Sequence, residues 1–392
     1  MKDVVLILGL ALLLADSPGQ TFGSLRSLSM PLGLFAAVQF AYLLMPVSDL
    51  PFYAKLVGLK MRLLYISGML LGYRFVRGPI DVYRLSAVLA AAAIPVSLFG
   101  IYLFFQGPAA LQAIGGSYSA IVHAPEGGWR VPGTFTSPGQ YGLYLTFNAI
   151  ITLTLLLVPN LTLRYRILLW SSLVLMALAI LVSGSRAPML LTLAGGAVVM
   201  LGIGTFGRLA RMATLAYIVL AVGFATFGPG VEDRVGSIAS MEHVDRFQRT
   251  YFGQMFVAKM FEAPFGLGLG AATIGARHFT EFGQVMLVES YFGVIAIETG
   301  VVGLATLLGW VAAILLYLNR AREVMRGSPS APAWYGLAAF VLIIILLSPV
   351  GTALDSAPGN LYFWLSLGMA AKLYDLERFR RAAMLAPPGA TA

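Results

Sequence analysis

Apolar runs recur about eleven times along this chain, and none of them holds more than two charged residues. They fall roughly at 3–15, 31–46, 61–75, 84–105, 138–158, 166–183, 187–204, 211–228, 288–318, 333–349 and 360–374. A helix needs ~20 apolar residues to cross the hydrocarbon of a bilayer, so several of these runs must borrow from their flanks or tilt. Backbone in lipid has to satisfy its own polar groups, and runs of this length do so as helices. The sequence therefore predicts an all-α polytopic membrane protein of about eleven spans (roughly 10–12), folded as a single domain over 1–392. Apolar residues at 59%, charged residues at 11% and a mean hydropathy of +0.84 exclude a water-soluble fold. The first run follows Lys2 with a thin basic region and no clear small-residue cleavage site, so it reads as a retained helix. Cysteine is absent, which removes disulfide and thiol chemistry.

The net charge of +9 has a topological explanation. Arg74, Arg77 and Arg84 share one connection. Arg164 and Arg166, Arg208 and Arg211, then Arg320, Arg322 and Arg326 occupy every second connection after it, and Arg378, Arg380 and Arg381 lie in the tail. Positive charge is retained in the cytoplasm, so these segments face inward and no nucleic-acid partner is required. Lys55, Lys60 and Arg62 disagree, landing in an outer loop. By parity the outer face receives the connection at 106–137, the turn Ser183–Arg186, the loop around Asp355 and one long polar segment, 229–287. A site on that face lacks ATP and nucleotide-sugars, so its substrate must arrive already activated, as on a lipid carrier.

The outer segments carry the chemistry-bearing residues. Ser183-Gly-Ser-Arg186-Ala-Pro188 starts a helix, with serine suited to the N-cap and proline tolerated in the first turn. Free backbone amides, the positive end of the helix dipole and Arg186 together make an anion pocket. A second helix start has the same design: Ser137 caps, Pro138 opens, and Arg130 lies upstream, with Gln140 and Tyr141 placed to bind a sugar or phosphate. Arg246 to Glu262 reads as an amphipathic helix with Phe247, Tyr251, Met255 and Ala258 on one stripe and Arg246 and Arg249 on another face. Arg234 and Arg277 are further cations in the same segment. Pro264-Phe-Gly-Leu-Gly-Leu-Gly270 echoes a phosphate loop but lacks the strand–helix context of one. Its alternate glycines, Gly268 and Gly270 included, are expected to turn the backbone sharply and bring it close to a neighbour, shaping the site.

Glu289 is expected to open the next helix. At ~100° per residue, Gly293, Ala296, Gly300 and Gly303 fall within about 40° of its direction, so the carboxylate crowns a stripe of small residues. Burial there would raise its pKa towards the range of a general base. Glu298 lies half a turn away and deeper, so the two do not form a catalytic pair. Glu242, His243 and Asp245 are the nearest thing to a metal cluster and read as a solvated turn; no metal or cofactor is expected.

These pieces, in this order, resemble the O-antigen ligase/polymerase superfamily. The resemblance rests on Gly133-Thr-Phe with Ser-Pro-Gly-Gln-Tyr141, on Ser183-Gly-Ser-Arg186, on the arginine-bearing helix running into Pro264–Gly270, and on Glu289-Ser290 followed by Gly300 and Gly303. It covers roughly residues 60–370. It implies a bacterial inner-membrane glycosyltransferase, GT-C-like, with one large periplasmic loop, acting on undecaprenyl-diphosphate-linked glycan without a metal. Ligases of that superfamily typically carry histidine where this chain has Glu289. The resemblance therefore implies a polymerase of O-antigen or exopolysaccharide, with a ligase transferring glycan to lipid A-core or another acceptor as the alternative. The implied catalytic residues are Glu289, Arg186 and Arg246 or Arg249, and the implied substrate-binding residues are Arg130, Gln140, Tyr141, Arg277, Gly268, Gly270 and Ser290. Membrane lipid and other polysaccharide-assembly proteins, such as a flippase and a chain-length regulator, are the implied partners. A lipid-linked oligosaccharide flippase is the competing reading; it would show internal repeats and mid-membrane polar groups, and no repeat is present.

Overall fold

The structure, a computed structural model, describes residues 23–45, 49–113, 129–158, 161–204, 258–281 and 288–385, with isolated positions before 12, around 222–226 and at 285–286. The described residues are helical and contain no β-strand. In chain order the α-helices are α1 (Arg26–Leu44), α2 (Phe52–Leu63), α3 (Ser67–Phe75), α4 (Pro79–Gln106), α5 (Pro108–Ala113), α6 (Pro138–Leu156), α7 (Leu163–Val182), α8 (Arg186–Gly202), α9 (Ala258–Glu262), α10 (Tyr291–Met325), α11 (Ala331–Leu347) and α12 (Gly359–Leu385). Among the described residues, five segments are long and apolar enough to cross a bilayer: Gly23–Leu44, Phe52–Phe75, Pro79–Gln106, Leu163–Val182 and Tyr291–Met325. Arg186–Gly202 and Ala331–Leu347 are shorter apolar helices. The expected run 211–228, the large segment up to residue 257 and the amphipathic helix from Arg246 lie outside the described residues, apart from its end in α9.

One expectation is corrected at the start of the chain. Lys55, Lys60 and Arg62 do not sit in a loop. They ride on α2, which passes through a 3-10 turn (Leu64–Ile66) into α3 to make one segment of 24 residues. Lys60 pairs with Asp3 at 3.0 Å, and Arg62 is buried. The stretch before residue 61, expected as loop because its lysines interrupt the hydropathy, is thus helix.

The chain gathers into two compact units, one of Met1–Pro79, Val244–Ser330 and Ile344–Ala392, the other of Ile80–His243 and Ala331–Ile343. In the first, α3 and α12 meet backbone to backbone. Gly72 lies on the Leu365 carbonyl and Gly368 on that of Met69, leaving no room for a Cβ at either, the close approach that small residues permit in lipid. Trp310 of α10 packs edge-on between Phe35 of α1 and Phe363 of α12, each 6.1 Å away.

α10 is not a continuous helix. Gly300 adopts φ 61° and ψ −154°, and the Pro264–Gly270 hairpin enters the break. Leu267 N–H donates to the Ile297 carbonyl (2.7 Å), Gly268 N–H to the Glu298 carbonyl (3.0 Å), and Val301 N–H to the Pro264 carbonyl (2.9 Å). The polar groups freed by the break are therefore paired by the hairpin, as buried backbone requires. Gly266 and Gly300 face each other across this contact, and a Cβ on Gly266 would come within 2.7 Å of the Gly300 nitrogen. The glycine run does what close approach demands. The helical stripe drawn from Glu289 through Gly303, however, is interrupted at Gly300.

In the second unit α6 packs against both its antiparallel neighbour α7 and the parallel α8. Gly142 meets Pro188, Thr146 bonds Thr192 (2.9 Å), and Gly195 meets Ile150, so α6 and α8 advance in step from adjacent N-termini. Phe147 of α6 packs edge-on against Phe340 of α11 at 4.7 Å.

Candidate functional site

The two helix starts singled out by sequence are brought together in the second unit. Ser137 caps α6, its hydroxyl accepting from the Gln140 amide at 3.2 Å with Pro138 in the first turn. Gly184 turns the chain at φ 60° between α7 and α8, with Ser185 as the N-cap position of α8. Ser185 does not cap with its side chain; its hydroxyl accepts instead from Arg130 Nη2 at 3.0 Å. Val131 N–H donates to the Val182 carbonyl (3.3 Å), and Gly184 sits against the Arg130 side chain. Arg130 is thereby clasped to the residue preceding Arg186, and both guanidinium-bearing residues are half-buried. Two parallel helices present their positive dipole ends next to these two permanent cations, an arrangement suited to a phosphate or diphosphate.

The neighbouring polar residues divide. Gln140 is half-buried, and its side-chain oxygen accepts from Thr136 at 2.6 Å. Tyr141 corrects the sequence expectation: it is fully buried, its ring lies under Gly133 (φ 57°), and its hydroxyl donates to the Val96 carbonyl at 3.3 Å. It is core, where the sequence placed it at the surface of the site. Gly133 is there to admit that ring.

In the first unit Glu289 is exposed and precedes α10 without opening it. Ser290 is the N-cap, its hydroxyl accepting from the Gly293 amide at 3.0 Å. Glu289 therefore lacks the burial on which the general-base expectation rested. Tyr291 N–H donates to the carbonyls of Ser348 and Gly351, each at 3.0 Å, which ties the helix start to the loop between α11 and α12. Arg277 lies exposed on the 3-10 turn Ile274–Phe279, its Nη2 3.5 Å from the Val285 carbonyl. Gly268 and Gly270, at φ 92° and 88°, serve the chain's own packing; Gly270 lies on the Ala54 carbonyl of α2. Arg246 and Arg249 lie outside the described residues, as do Arg234 and the Glu242, His243 and Asp245 turn.

Sequence reasoning missed a buried charge cluster in this unit. Arg62 of α2 is ion-paired to Glu298 of α10, and neither side chain is exposed. Arg62 Nη1 also donates to Gln39 of α1 at 2.6 Å. The second Glu298 oxygen accepts from Ala272 N–H (2.8 Å), Thr273 N–H (2.7 Å) and the Thr273 hydroxyl (2.9 Å). Glu298 thus fastens the hairpin to the helix break from the side-chain direction while its carbonyl does so from the backbone. Asp355, on the 3-10 turn Ala353–Asp355, completes the cluster. It is buried, and neither carboxylate oxygen finds a hydrogen-bond partner among the described residues. Burial pushes it up to about 7 with the Glu298 charge adding to the effect; Arg62 and the Ile274 amide pull the other way, the amide without reaching hydrogen-bond geometry. The available signal was an arginine and a glutamate inside apolar runs, since ionisable residues at that depth are costly unless paired or functional. Compared with models of protein families and with curated proteins, the sequence matches none.

Proposed function

We propose that the chain is a membrane glycosyltransferase that polymerises undecaprenyl-diphosphate-linked repeat units on the periplasmic face of a bacterial inner membrane. The observation that carries this reading is the pairing of two parallel helix N-termini with Arg130 and Arg186. A glycan on a polyprenyl diphosphate needs no further activation. As its C1–O bond breaks, the electron pair leaves with the diphosphate, whose negative charge grows. Fixed guanidinium groups and helix amides stabilise that charge without reorganising. The acceptor hydroxyl attacks C1 from the opposite face, gives up its proton and inverts the anomeric centre. Glu289 remains the proposed carboxylate for that proton, supported by its exposure and by its fixed position before the Ser290 cap; Arg246 or Arg249 is proposed as an additional cation for the diphosphate. Transfer to lipid A-core or another acceptor uses the same donor chemistry and is the second enzymatic reading.

The buried charge pair at the helix break favours a flippase as the non-enzymatic alternative, because transporters place broken helices and ionisable groups inside the membrane. Here the groups freed by the break are taken up by the hairpin, which supports a structural role for it. Purified protein in liposomes with lipid-linked repeat unit separates the readings. Longer glycan supports the enzyme; movement of the lipid across the bilayer with no change in glycan length refutes it. Transfer to lipid A-core without polymer growth would select the ligase.

A further inference from the structure

The cluster at residues 62, 298 and 355 holds more hydrogen-bonding capacity than it uses. Arg62 donates through Nη1 to Gln39 and through Nη2 to Glu298, and its Nε–H is buried without a partner. Both oxygens of Asp355 are buried and equally unused among the described residues. With all three groups charged, the cluster carries one negative charge too many in a site removed from water, which is expensive. With Asp355 neutral it balances. The charged and titratable groups around Asp355 are Arg62 from α2, and Glu298 and Tyr291 from α10; the Ile274 amide comes from the adjoining 3-10 turn. The first turns of α12, packed against the same region, carry one titratable side chain, Tyr362.

We propose that Asp355 is a proton-binding site, and that releasing its proton offers Arg62 a second carboxylate, so that proton occupancy sets how firmly the hairpin up to Thr273 is held. In the protonated state Arg62 serves Glu298 alone, and Glu298 holds Ala272 and Thr273. In the ionised state Asp355 draws on the same guanidinium, and the Glu298 anchor weakens. A carboxyl whose folded-state pKa is raised adds stability that is complete below the pKa of the unfolded chain and is lost as pH rises through the folded value. The hairpin therefore loosens between acid and neutral-to-basic pH, the reverse of an ordinary salt-bridged aspartate.

The test is hydrogen exchange on the full-length protein in detergent, expressed as protection factors for the 264–273 amides from about pH 5 to about 8. The wild type should lose about ten- to a hundredfold of protection across this range, the size of one weakened charge-assisted hydrogen bond. Asp355→Asn should show none of that loss. Infrared difference spectra of the same samples should contain a protonated-carboxyl band in the wild type that disappears with a midpoint near 7, and Asp355→Asn should lack it. Should that variant not fold, Glu298→Gln provides the second measurement: Arg62 is freed for Asp355, so the midpoint must fall. Protection that is independent of pH in the wild type, or a midpoint unmoved by Glu298→Gln, overturns the proposal.

Discussion

Arg62 and Arg130 are the same side chain put to opposite uses. In the first unit Arg62 has no exposure, meets a carboxylate and has its charge cancelled where it stands. In the second, Arg130 is half-buried, gives one N–H to a neutral serine hydroxyl and lies beside two helix starts whose amides add to its positive charge. The difference teaches how to separate structural from functional charge in such a chain. A cation paired with a buried carboxylate serves the scaffold, whereas one set beside helix starts is where the proposed function places the anion.

The sharpest way to break this comparison is to remove half of the buried pair. Arg62→Met or Glu298→Met should each cost about 3–5 kcal/mol of unfolding stability, because the partner is left buried and uncompensated. The double variant should recover most of it in a double-mutant cycle by denaturant unfolding in detergent. Single losses below about 0.5 kcal/mol would place Arg62 with the surface arginines instead. Next in size is Arg186→Ala. It should lower glycan transfer by roughly 10²–10³, or about 2.7–4 kcal/mol of barrier, while thermal unfolding stays close to wild type. A destabilisation as large as that of Arg62→Met would erase the distinction. Gly300→Ala should cost about 1–3 kcal/mol, since its backbone conformation is foreign to other residues and its Cβ would strike the hairpin. The smallest effect is Ser137→Ala, about 1 kcal/mol from the lost cap of α6, read as a shift in thermal midpoint with donor binding largely kept.

Much of the helical scaffold was legible because hydropathy and capping are local. The Ser137–Pro138 start of α6 and the turn before Arg186 appear where their residues put them. The glycine run likewise announced a close backbone approach, though not its target. What was not legible depends on neighbours distant in sequence. Tyr141 looks like a site residue until Gly133 and Val96 are seen to bury it. Glu289 looks like the first residue of a helix until Ser290 takes the cap. Arg62 looks like a stray cation at the edge of an apolar run until Glu298, 236 positions away, is seen to pair with it. A single hydropathy profile has no access to that pairing.

The gap at Gly300 also dictates an order of assembly. Residues Tyr291–Met325 could enter a bilayer as an unbroken rod, since every amide beyond the first turn would then find its acceptor four residues back. Bending at Gly300 strands several of those groups unless Pro264–Gly268 already lies alongside to receive them. That strip is translated first, so it would wait at the membrane border for the rod that follows it. Once the two interlock, neither half of the rod can rotate or slide without exposing bare amide to hydrocarbon. The junction is therefore set during assembly, and any later loosening of the strip has to re-pair those amides as it proceeds.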